Sequence, residues 1–149
     1  MNIIELVKQI LTDYPKITEF TNEIKVDFTD DAPTSFGLSS TGDKLIKEDI
    51  LGNQTRQHNF VLYALNQSAN DYDRLVNSTF LLDLTYWLEQ YQQEDPIEAT
   101  INNKTVFGKL LGLSSANAML YMIPTGNIND GVTYQIQIYA QYKLGSEGL

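Results

Sequence analysis

The sequence holds one histidine, His58, and no cysteine. A Ser-His-Asp relay would therefore have to use His58 as its base. No G-x-S-x-G elbow is present. His58 falls between Gln57 and Asn59 on a predicted hairpin strand, a poor position for a nucleophile's base, so it reads as a structural or surface residue. The phosphate-cradling patterns G-x-x-x-x-G-K-[ST] and G-x-G-x-x-G are absent. Carboxylates are plentiful, at 19 Asp and Glu, but no pair stands out as an acid and its base. Asp27, Asp30 and Asp31, or Asn127, Asn129 and Asp130, could hold a hard cation. The second group resembles a fragment of a calcium loop without its distal glutamate, and turn formation accounts for both. The expectation is a chain with no catalytic residue, no metal and no cofactor.

Charge narrows the partners. A formal net charge of −9 repels phosphate, and Lys44 with Lys47 is the nearest approach to a basic cluster, so general nucleic-acid binding is not expected. The acidity reads as a means of solubility or, alternatively, as an acidic surface or channel that DNA can pass without capture. The N-terminus has no basic n-region, and no apolar run approaches the roughly 20 residues of a membrane helix. The absence of cysteine removes a disulfide framework and thiolate metal sites.

The elements that position these residues follow from periodicity. Ile3, Ile4, Leu6, Val7, Ile10 and Leu11 predict a helix over 2–13, ended before Pro15. A short strand is predicted over 23–28. The stretch 29–42, rich in Asp, Pro, Ser, Thr and Gly, reads as a loop in which Phe36 to Ser39 could pair briefly. Phe36 and Leu38 would be conspicuous apolar residues on it. Residues 44–51 and 54–65 predict a hairpin, with Asp43, Lys44, Lys47, Glu48 and Asp49 forming a mixed-charge arm. A second helix is predicted over 71–92, with Trp87 on its core stripe, and a second hairpin over 97–101 and 105–113. A short strand follows at 118–123. The last segment, 132–144, alternates almost strictly and would run on the order of 40 Å, about twice the usual strand length. Its outer face is glutamine, tyrosine and threonine rather than dense charge. Left uncovered, such a strand invites pairing with another chain, which points to an assembly subunit. Tyr139 on that polar face is a candidate interface anchor. The pattern predicts one α+β domain over 1–149. Its antiparallel or mixed sheet would have five to seven strands flanked by two main helices, with a frayed tail over 145–149.

Two blocks, Gly37-Leu38-Ser39-Ser40-Thr41-Gly42-Asp43 and Leu51 to Ala64, together with the ending Tyr134 to Lys143, resemble the minor capsid and tail-completion proteins of phages and prophages of Gram-positive bacteria. The likeness runs nearly the length of the chain. The H-x-x-x-D-G acetyltransferase motif is absent, since Asn59-Phe60-Val61-Leu62-Tyr63 follows His58. The element order is also similar to that of the tail terminators of long-tailed phages. The resemblance implies a homo-oligomeric, hexameric ring in the virion at the head–tail junction, assembled in the bacterial cytoplasm. Such a ring caps the tail tube, meets the head-completion or connector protein and lets DNA through without sequence preference. It implies no catalytic residue. By analogy it puts the Thr34–Gly42 loop and the Lys44–Arg56 hairpin, with Phe36, Leu38, Asp43, Lys44, Lys47, Glu48, Asp49 and Arg56 as candidates, at subunit contacts or the lumen. A head-side neck protein, or an enzyme or small-ligand binder on the same scaffold, is the alternative.

Overall fold

The computed structural model describes residues 1–16, 24–26, 35–66, 71–122 and 132–145. Helix α1 covers Ile3–Thr12. Its N-terminus is set by Asn2, whose side-chain oxygen accepts from Glu5 N at 2.9 Å, satisfying one of the donors that a helix start leaves unpaired. The apolar stripe read from the sequence is its buried face: Ile3, Leu6, Val7, Ile10 and Leu11. Helix α2 covers Asp71–Gln90 and buries Phe80, Leu81, Leu84 and Leu88. Trp87, expected on this stripe, packs partly buried against the same core, and Thr79 is exposed.

Among the described residues six strands form one sheet: β1 (Ile24–Val26), β2 (Ser35–Glu48), β3 (Gln54–Asn66), β4 (Ile97–Ile101), β5 (Lys104–Met122) and β6 (Val132–Leu144). Their order is β1-β2-β3-β6-β5-β4. All neighbours are antiparallel except β1 and β2, so the sheet is mixed and the fold is α+β, as expected. Both helices contribute to one core with the same sheet face, which supplies Phe36, Leu38, Phe60, Leu62, Ile136 and Ile138 among others.

Three expectations need correction. The stretch 35–42 is not loop but the first half of β2, with Phe36 opposite Ala64 and Leu38 opposite Leu62. Residues 29–34 lie outside the described residues. The two strands expected over 105–113 and 118–123 are one 19-residue strand, β5. Asn117 at φ 56° and a register shift between Ala116 and Met119 bend this strand without ending it. Finally, β6 is not a bare edge. It lies between β3 and β5 and is paired along its length, so its backbone groups are satisfied within the chain and invite no partner.

The β5–β6 pairing is close at Gly108. A Cβ there would lie 1.7 Å from the Lys143 carbonyl oxygen, so only glycine lets the two backbones approach.

Candidate assembly surface

β2 and β3 continue past the helices. The core face of this hairpin changes at Ser40 from apolar to polar, and three strands meet there on one carboxylate. Register puts Asp43 of β2 opposite His58 of β3, and Arg56 of β3 opposite Tyr142 of β6. A register shift between Ser40 and Gly42, with Gly42 at φ 145°, turns the Asp43 side chain to this face. Asp43 Oδ1 accepts from Arg56 Nε at 2.6 Å. Its Oδ2 accepts from Tyr142 Oη at 2.5 Å and from His58 Nδ1 at 2.8 Å. Because a carboxylate only accepts, the His58 proton sits on Nδ1, and in the neutral ring Nε2 accepts from Ser40 Oγ at 2.5 Å. The imidazole also packs on Phe60, with ring centroids 4.7 Å apart.

Burial alone would raise the Asp43 pKa. Donation from Tyr142, Arg56 and His58 outweighs it and holds the carboxyl below the usual range. Burial, then the bond to Asp43, pushes the Tyr142 phenol up.

Ser40, His58 and Asp43 thus stand in the order of a catalytic relay. The ingredients beside it differ from those of a hydrolase. Arg56 and Tyr142 also occupy the carboxylate, Ser40 lies within a strand rather than on a sharp turn, and neither cavity described below adjoins it. The contacts are those of a clamp that ties β2, β3 and β6 together.

Beyond the clamp the hairpin ends in a rigid apolar tip. Asp49 Oδ1 accepts from the backbone of Leu51 and Asn53, each at 2.9 Å, and Oδ2 accepts from Asn53 Nδ2 at 2.9 Å. The Asn53 side chain, then its backbone, holds the Asp49 pKa below its ordinary value. Gly52, at φ 85°, takes the left-handed position that the turn requires. This scaffold holds Ile50 and Leu51 outward at 103% and 75% exposure, and Leu45 and Ile46 on the β2 arm are also exposed.

Across the sheet, a hollow of about 700 Å³ lies between the α2–β4 connection and β5, lined by Tyr91, Gln93, Glu94, Lys109 and Leu111 among others. A smaller hollow of about 390 Å³ lies at Phe107, Lys143 and Gly145.

The candidate interface residues singled out in the sequence separate into four groups. Phe36 and Leu38 are 0% and 1% exposed and pack in the core; Phe36 meets Phe80 edge-on at 5.6 Å. A side chain with no accessible surface cannot serve as a contact, so their assignment to an interface is corrected. Asp43, Arg56 and Asp49 are brought into the clamp and the tip scaffold. Lys44, Lys47 and Glu48 stay exposed on the β2 arm. Tyr139 is half-buried on the polar sheet face, where its hydroxyl donates to Gln137 Oε1 at 2.7 Å. Asn117 Nδ2 donates to the same oxygen at 2.8 Å. Asp27, Asp30, Asp31, Asn127, Asn129 and Asp130 lie outside the described residues, and no cluster of potential metal ligands occurs among those described. Among the described residues no helix is long and apolar enough to cross a membrane. Ser40, Ile50 and Leu51 fell within the ranges assigned to subunit contacts or the lumen without being singled out, and Tyr142 was missed. Ile50 and Leu51 carried a readable signal, two large aliphatic residues beside the turn glycine.

No protein-family model matches this chain, and no curated protein matches it. Among solved structures, a chain in the "Virion of native gene transfer agent (GTA) particle" is similar at a TM-score of 0.48 and 13% identity, over 94% of this chain and 92% of that one. A likeness at this level carries no functional weight.

Proposed function

We propose that this chain is a structural subunit of a phage or phage-like virion that works at the head–tail junction as a tail-completion ring. The observation that carries the reading is the hairpin tip. Exposing Ile50 and Leu51 while closing the turn that carries them with five hydrogen bonds among Asp49, Leu51, Gly52 and Asn53 contributes little to a lone subunit. Pre-organised apolar groups are what an interface uses to limit the entropy lost on association. The resemblance of 37–43, 51–64 and 134–143 to tail-completion proteins supplies the setting. A heterologous contact repeated around an axis closes a ring. One face of the ring would meet the tail tube and the other the head connector. The balance of −9 charges would let DNA slide through the lumen. Lys44, Lys47 and Glu48 are the positions at which lumen charge can be altered without cutting the clamp or the turn.

Light-scattering mass coupled to size exclusion, across a concentration series and with and without the tail tube, tests this reading. A ring near six subunits that binds tube ends is the expected outcome. A chain that stays monomeric in both conditions would overturn it.

A hydrolase is the second reading, favoured by the single observation that Ser40, His58 and Asp43 are in relay order. Labelling of Ser40 by a fluorophosphonate, abolished in His58→Gln, would support it; no labelling would remove it.

A further inference from the structure

The tip and the larger hollow lie at the same end of the sheet but on opposite flanks. Register fixes this. Glu48 at the root of the tip is level with Gln54, Gln54 with Leu144, Leu144 with Gly108, and Gly108 with Ile97. Lys109, the next residue of β5, lines the hollow. Three strand spacings separate β2 from β5, on the order of 14 Å. The tip of one subunit therefore points past its own hollow and cannot fill it. A two-fold arrangement is not needed to satisfy both features; a head-to-tail one satisfies each with a neighbour.

We infer that the Ile50–Leu51 tip of one copy of this chain docks into the hollow between the α2–β4 connection and β5 of the next copy. This deepens the ring reading above and rests on it only for the biological setting. The pieces are complementary. Two large aliphatic side chains that stand in solvent face a hollow with Tyr91 and the 49% exposed Leu111 on its wall and a polar rim of Gln92, Gln93, Glu94 and Lys109. Its volume of about 700 Å³ falls among clefts that hold ligands, about 300–1,000 Å³. Both sides carry charge of either sign: Lys44, Lys47 and Glu48 stand exposed on the arm behind the tip, and Glu94 and Lys109 stand exposed at the hollow, so each side offers a partner for the other's acid and base. The hollow opens at Lys109, where β4 has ceased to cover β5: Ile97, the first residue of β4, pairs with Gly108.

The chain has no cysteine, so an engineered pair is unambiguous. Ile50→Cys and Leu111→Cys alter two exposed positions, and unchanged thermal melts would verify that each variant folds. The full-length chain is oxidised at about 1 mM, where a contact with a millimolar Kd is substantially populated. The double variant is expected to give a ladder of disulfide-linked trimers and larger species. A mixture of the two single variants should stop at dimers joined tip to hollow. A double variant that yields nothing beyond the dimers of the single variants would overturn the contact.

The two proposals fail separately. A ladder from a chain that is never built into particles would leave the contact standing and remove the virion role. Normal incorporation into particles of a chain carrying both Ile50→Ser and Leu51→Ser would do the reverse.

Discussion

The two halves of the β2–β3 hairpin share one sheet face but are held by different forces. The inner half lies under the helices, and Phe36, Leu38, Phe60 and Leu62 are each no more than 1% exposed. The outer half projects beyond them and is tied by Asp43 to Arg56, His58 and Tyr142. Hydrophobic burial is strong but non-directional. A shared carboxylate with three charged or polar donors is weaker but fixes which residue faces which. A hairpin that outgrows its helical cover thus exchanges bulk stabilisation for geometric control, and it does so directly before the tip that has to be aimed.

Breaking the inner half should have the largest effect. Phe60→Ala removes a fully buried ring and is expected to cost about 3–5 kcal/mol, read as a lower urea midpoint with unchanged slope. Next comes the clamp. Asp43→Ala strands the donors of His58, Tyr142 and Arg56 in a partly buried site and is expected to cost about 1–3 kcal/mol. Amide exchange should accelerate in 40–58 before it does in 36–38 or 60–64; uniform acceleration would show that the halves do not behave separately.

Acid sharpens the same contrast. The folded Asp43 carboxyl is held below its ordinary value, so its contribution is full above roughly pH 4, the unfolded carboxylate value, and is lost as pH falls through the lower folded value. Melts from neutral to acidic pH should lose stability in that window, and Asp43→Ala should flatten that part of the profile. A parallel loss in the variant would assign the acid limb to other carboxylates. The smallest effect belongs to the tip. Ile50→Ser should leave the monomer's stability within about 0.5 kcal/mol, since the side chain is fully exposed. A larger loss would mean that the tip serves the subunit rather than a partner.

Helix α1 and strand β6 were legible because each carries a clear period of 3.6 or 2, and α2 and the arms of both hairpins because turn residues bound their apolar runs. The start of β2 was not, because Ser, Thr and Gly dominate 34–42 and local composition favours a loop. Pairing of Phe36 and Leu38 with Ala64 and Leu62 overrides that preference. The continuity of β5 was hidden by Ser114-Ser115-Ala116-Asn117, which resembles a turn but forms a bulge. The clamp depends on Gly42 shifting the register, a property of the assembled pair rather than of either strand. The position of β6 was illegible for a further reason: alternation reports which face a residue takes, not which strands lie beside it.

That position governs the timing of folding. β6 follows the other five described strands in sequence, yet it joins β1-β2-β3 to β5-β4. During synthesis at about 5–20 residues per second, Val132 emerges several seconds after Asn66. In that interval the β3 edge, including Phe60, Val61 and Leu62, has no partner. The nascent chain must carry an open, apolar half-sheet until β6 arrives, so ribosome stalling within 67–131 should leave a species prone to aggregation and dependent on chaperones.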